Sequence, residues 1–135
     1  MTEILIVAAI ITKGISEILE IKDEIIANKN RSKRLIERIR SLEPAIDSIQ
    51  NNNRTASIEL ITGISKTIED SYKFLCKFRR KIWLRKVLYR QNIEDEFLEL
   101  NGRITGHMSD LNLSETLHGQ ELQIKLEEDR IKDDE

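Results

Sequence analysis

Seven Lys or Arg side chains and no carboxylate fall within the fourteen residues KFRRKIWLRKVLYR, from Lys77 to Arg90. The cations are Lys77, Arg79, Arg80, Lys81, Arg85, Lys86 and Arg90, and between them stand the chain's single tryptophan, Trp83, and Tyr89. Cations alternating with aromatic and aliphatic side chains suit a partner that presents phosphates over an apolar interior. That describes an anionic membrane first and a nucleic acid second. A second basic group, Arg31, Lys33 and Arg34, precedes the first by about forty residues. An outer face of Lys29, Arg31, Lys33, Arg34, Arg38 and Arg40 is expected there, with Glu37 as its lone acid.

The net charge of -2 hides a strong polarity. Residues 1–28 carry a net -3, residues 29–90 a net +10 and residues 91–135 a net -9. Such a chain can hold its acidic tail against its own basic segment, or release that segment to an anionic partner. Overall acidity and the lack of any recognised motif argue against nucleic acid as that partner.

No catalytic constellation accompanies these charges. His107 and His118 have no Cys, His or carboxylate partner at metal-ligand spacing. The sequence contains no phosphate-cradling Gly loop, nucleophile elbow or zinc signature. The chain is therefore expected not to be an enzyme and to need no metal or cofactor. The one cysteine, Cys76, excludes an internal disulfide and is expected to be buried near a helix end.

The elements that must position these residues are helices. Aromatic residues make up 4% of the 135 residues, with five Gly and one Pro. Ile4, Ile11, Ile18 and Ile25 recur every seven residues and predict a first helix from about Thr2 to Asn28. Its first turns are apolar nearly all round, with Leu5, Ile6 and Ile10 off the main stripe. Ile4, Val7 and Ile11 are thus candidates for either the core or membrane insertion. Leu35, Ile36, Ile39, Leu42, Ile46 and Ile49 predict a second helix kinked at Pro44. The polar run from Gln50 to Asn53 is a loop. A third helix is predicted over 55–78 and a fourth over 93–117, where Gly102 and Gly106 suggest close approach of a neighbour. The apolar run Ile4–Ile11 is far short of the roughly 20 residues that span a bilayer. The start lacks the positive region of a secretory signal, and a cytoplasmic protein is expected.

The order of these features resembles a known family. A basic second helix with a mid-helix proline reads RLIERIRSLEPAIDSI. A third helix ends in FLCKFRRKIWLRKVL, and an acidic-aromatic start leads into ELNGRITGHMSDLNL. The chain is similar to the N-terminal helical bundle of the mixed-lineage kinase domain-like proteins, related to fungal HeLo and plant resistance-type bundles. The resemblance implies an all-α antiparallel four-helix bundle over 1–117 and a brace helix, or the start of a linker, over 118–135. It also implies a cytoplasmic bundle that on release oligomerises, binds anionic phospholipid at the inner face of the plasma membrane and permeabilises it in regulated cell death. An upstream kinase-like or immune-receptor partner goes with that reading. The first helix is net acidic, so lipid-binding charge must come from Arg31, Lys33, Arg34 and the Lys77–Arg90 segment. The other reading is a homotypic interaction or autoregulatory bundle without lipid activity.

Overall fold

The computed structural model describes residues 2–79, 90–113 and 119–134. Six α-helices account for most of them: α1 (Thr2–Ile21), α2 (Lys29–Arg40), α3 (Glu43–Gln50), α4 (Ile58–Cys76), α5 (Arg90–Asp110) and α6 (Gly119–Asp134). Short 3-10 turns follow α1 (Lys22–Glu24) and α4 (Lys77–Arg79), and no strand occurs among the described residues.

The isoleucine seam places α1 in the core, with Ile11, Ile15 and Ile18 fully buried and Ile25 still inward beyond the helix end. Helix α1 ends seven residues earlier than its periodicity suggests. The Ile26 amide donates to the Phe78 carbonyl at 2.9 Å, and Asn28 adopts a left-handed conformation (φ 53°). That conformation is cheap for Asn, so the chain turns without a glycine.

Pro44 divides the second predicted helix in two. It lies in the first turn of α3, where its missing N–H removes no hydrogen bond. The apolar stripe crosses the break, because Leu42 and Ile46 are both buried.

Two further ends are set by asparagine. At the end of α5, Leu113 N–H donates to Met108 O (2.9 Å) and Asn112 N–H to Ser109 O (3.0 Å), with Asn112 at φ 58°. This Schellman pattern closes the helix at Asp110, short of the expected Leu117. Asn52 and Asn53 repeat the arrangement on Ile49 and Ser48 at the end of α3. Helix α4 starts at a true N-cap, Ser57, whose hydroxyl accepts from Leu60 N–H at 3.1 Å. It ends at Cys76, which is half-buried and not sealed in the core.

Residue pairs give the helix directions. Gly14 faces Ile68, and Glu24 meets Arg79, so α1 and α4 run the same way. Arg31 lies on Phe97 and Arg38 on Asn101, so α2 and α5 also run alike. Thr67 meets His107 and Asp70 meets Arg103, so α4 and α5 are opposed, as are α2 and α6 through Arg31–Asp133 and Arg34–Asp129. With α2 and α3 counted as one broken helix, Thr12 on Gln50 and Lys22 beside Lys33 oppose it to α1, so successive helices of the all-α bundle alternate in direction.

The close approach expected at Gly102 and Gly106 is absent, since a Cβ there would meet nothing within 4 Å. It occurs at Gly14, where a Cβ would lie 2.7 Å from Ile68 Cγ2. At one end of the bundle the three phenylalanines of the chain form a cluster. Phe74 sets its edge against Phe78 (4.9 Å) and Phe97 (4.8 Å), and Phe78 stacks on Phe97 at 5.8 Å. Each such pair adds about 0.5–1.5 kcal/mol beyond its burial.

Candidate functional site

Helix α2 begins without a cap of its own. Asn28 makes no side-chain capping bond, so the first amides of the helix need an acceptor from elsewhere. Asp133 of α6 supplies it. Its Oδ1 accepts from the Asn30 backbone N–H (2.7 Å) and side-chain amide (3.0 Å), and its Oδ2 from the Arg31 N–H (3.2 Å) and Nε (2.9 Å). The Arg31 and Asp133 side chains are 4% and 0% exposed. Helix dipole and guanidinium thus act on one buried carboxylate.

One turn further along, Arg34 Nε and Nη2 contact the two Asp129 oxygens at 2.5 and 3.3 Å. The hydrogen bond to Asp129 raises the Arg34 guanidinium above its usual pKa, against the opposing effect of burial. Arg130 holds the same helix to α5 through Glu94 (3.5 Å), while pairing with Glu127 and Asp134 on α6 itself. Leu122, Leu126, Asp129 and Asp133 form the inner face of α6, at i, i+4, i+7 and i+11. Two leucines and two carboxylates therefore make one docking stripe, apolar at one end and ionic at the other.

The exposed basic face expected of α2 is thereby corrected. Arg31 and Arg38 are buried, Arg34 is half-buried, and Lys29, Lys33 and Arg40 are left exposed. Arg38 turns into the bundle, where Nη1 donates to Asn101 O (2.9 Å) and Oδ1 (2.6 Å) and Nη2 donates to Thr105 Oγ1 (2.6 Å). Asn101 in turn donates to Phe97 O at 2.8 Å, so the buried cation is tied into the α5 backbone.

An exposed cationic corner remains beside the contact of α2 with α6. Lys22, Lys29 and Lys33, with Asp23 and Ser32, surround a hollow of about 260 Å³ where the chain turns from α1 into α2. The buried Ser32 hydroxyl has no hydrogen-bond partner among the described residues. Lys22 was not among the residues singled out from sequence. It comes beside Lys29 and Lys33 because α1 ends at Ile21 and the chain turns at Asn28, where the periodicity predicts continuous helix.

Of the Lys77–Arg90 segment, Arg80, Lys81, Trp83, Arg85 and Lys86 lie outside the described residues. Arg90 is the first residue of α5. Lys77 Nζ stands 6.0 Å above the Phe74 ring, and Arg79 pairs with Glu24 at 3.2 Å. The tail carboxylates Asp129 and Asp133 sit on the α2 part of the basic region.

Ile11 belongs to the core and Ile4 and Val7 pack against it. Ile6 and Ile10, off the stripe, are 55% and 54% exposed. No described helix is long and apolar enough to cross a membrane. His107 is not a ligand of any described metal-like group. Thr67 Oγ1 lies 3.1 Å from Gly63 O and 2.8 Å from His107 Nε2, so the hydroxyl ties the His107 ring to the α4 backbone. Burial first, then Arg103, lowers the His107 pKa.

The family model for the mixed lineage kinase domain-like N-terminal domain matches residues 7–135. No curated protein and no solved structure matches the chain. The chain belongs to the mixed lineage kinase domain-like N-terminal domain family.

Proposed function

We propose that this member of the family is a cell-death bundle whose basic α2 surface binds anionic phospholipid once α6 leaves it. The observation that carries the reading is the Asp133 carboxylate on Arg31 and the α2 amides, joined by Asp129 on Arg34. Carboxylates hold the positions that lipid phosphates would take. An anion that competes for them and α6 docking are linked reciprocally, each weakening the other by the same factor.

In the closed arrangement Lys22, Lys29 and Lys33 are available for a first encounter with the leaflet. Each Lys or Arg near an anionic surface contributes roughly 1 kcal/mol, falling off within a Debye length. Release of α6 adds Arg31 and Arg34, and the Lys77–Arg90 segment adds its own cations with Trp83 for the headgroup zone. The bundle has no catalytic role in this reading, and it works at the cytoplasmic face of the plasma membrane.

Permeabilisation requires apolar surface as well. Ile6 and Ile10 already face outward on α1, and Ile4, Val7 and Ile11 would join them if α1 left the core. Oligomers of the opened bundle would then disrupt the bilayer. Co-flotation with liposomes of rising anionic content tests the binding step, and dye release tests the second. Equal leakage from neutral and acidic liposomes would overturn the charge argument.

A second reading, a homotypic or adaptor bundle, draws on Ile124 and Ile131, which lie seven apart on α6 and are 57% and 51% exposed. Charge reversal at Arg79, Arg80, Arg85 and Lys86 separates the two. It removes liposome binding under the first reading and leaves self-association intact under the second.

A further inference from the structure

Helix α1 is buried along one side, by Ala8, Ile11, Ile15 and Ile18. The opposite side is open to solvent. Glu3, Ala9 and Lys13 are exposed there, with Ile6 and Ile10 at 55% and 54%. Glu3, Ile6, Ile10 and Lys13 follow one another at spacings of three, four and three, so they stand in one line along the helix. The line has two large apolar side chains at its centre, an anion at one end and a cation at the other. Neither Glu3 nor Lys13 makes an ion pair with a described residue.

We infer that this side of α1 is where two copies of the closed bundle pair, with the two α1 helices antiparallel about a two-fold axis. The register that sets Ile6 of one copy on Ile10 of the second also sets Glu3 on Lys13, and the axis repeats both contacts. Other registers lack this match. A parallel pair would set Glu3 on Glu3 and Lys13 on Lys13. An antiparallel pair slid by seven residues toward fuller overlap would set Glu3 on Glu20 and Ile6 on Glu17. Only the first register places apolar on apolar and each charge on its opposite, which is how helix pairs select register and direction. Ala9, beside the line, leaves room for two helix backbones to approach.

The overlap from Glu3 to Lys13 is about 15 Å of helix. That is short for an obligate interface, so the pairing is weak and depends on concentration. It needs no lipid and keeps α6 docked, so it stands apart from the membrane reading, although it covers the two isoleucines that reading uses.

Sedimentation equilibrium of the full chain without lipid, over a wide range of concentration, tests the pairing. The wild-type chain should pass from monomer to dimer as concentration rises. Glu3→Lys and Lys13→Glu each put like charges at both ends of the contact and should weaken dimerisation at least fivefold. The double variant Glu3→Lys/Lys13→Glu restores both pairs and should return to within twofold of wild type. An equimolar mixture of the two single variants should associate more tightly than either alone. Ile10→Asp should stay monomeric while keeping the wild-type circular dichroism spectrum. A wild-type chain that is monomeric throughout, single variants that pair as well as wild type, or a double variant no better than the singles would each overturn the inference. Loss of pairing on Ile131→Asp but not on Ile10→Asp would place the contact on α6 and overturn it too. A monomeric wild type whose liposome co-flotation is lost on Ile10→Asp would give this face to the bilayer instead.

Discussion

The Arg31 Nε and the Asp133 Oδ2 lie 2.9 Å apart, in contact across 102 residues of sequence and shut away from solvent. The same carboxylate is the N-terminal cap of α2, accepting from the Asn30 and Arg31 amides. One side chain of α6 therefore completes a helix that has no cap of its own.

Asp133→Ala removes cap and counter-ion together. Breaking a buried pair from one side costs about 3–5 kcal/mol, because the other charge is left without compensation. Since this pair and Arg34–Asp129 tie α6 to α2, the loss should appear as undocking of α6 before the rest of the bundle unfolds. Hydrogen exchange should show fast α6 amides and faster exchange at the start of α2, with α1 and α4 unchanged. Wild-type protection throughout α6 would contradict the capping role. The double variant Arg34→Met with Asp129→Leu should keep α6 docked, since an apolar pair of similar volume avoids desolvating two ions.

Glycine substitutions should separate tight from open positions. Gly14→Ala places a methyl 2.7 Å from Ile68 Cγ2 in the α1–α4 contact and should destabilise by about 1–3 kcal/mol. Gly102→Ala and Gly106→Ala meet nothing within 4 Å and should each stabilise α5 by up to about 1 kcal/mol. Urea denaturation midpoints check both signs.

Acidification should weaken the bundle through His107. Its folded pKa is lowered by burial and then by Arg103, so the unfolded chain binds the proton more readily. The stability it contributes is complete above the unfolded value near 6.5 and is lost as pH falls from there toward the folded pKa. His107→Gln should flatten that part of the stability-against-pH curve. An unchanged slope between pH 6.5 and 5 would mean that His107 is not the titrating group.

Arg38→Ala should cost about 3 kcal/mol, because it leaves Asn101 Oδ1 and Thr105 Oγ1 with buried bonding capacity lost. Arg38→Lys should recover only part of this, because one ammonium cannot reproduce the fork that spans Asn101 and Thr105. Equal stability of wild type and Arg38→Ala would contradict the anchoring role.

Much of the fold was legible in the seven-residue spacing of Ile4, Ile11, Ile18 and Ile25 and in the stripe from Leu35 to Ile49. Periodicity reports which residues face inward, and it does so even where the helix has ended, as at Ile25. It does not report ends fixed by long-range bonds, such as Ile26 on Phe78, or by asparagines in the left-handed region. The site was legible as charge and not as pairing. Arg31 and Arg38 read as a solvated face because their partners lie more than sixty residues away. The inner stripe of α6 was obscured because Asp129 and Asp133 continue it beyond Leu122 and Leu126. Ile124 and Ile131, the more apolar choice, face outward.

The most direct test is co-flotation of the wild-type chain and of Asp129→Asn/Asp133→Asn with liposomes containing 0, 20 and 40% anionic phospholipid, at low and physiological salt. The expected result is binding that rises with anionic content, falls with salt, and is at least fivefold stronger for the double variant on the acidic liposomes, with no binding of either chain to neutral ones. Equal binding of the two chains at every composition, or tighter binding by wild type, would contradict the claim that α6 carboxylates hold the lipid-binding arginines of α2.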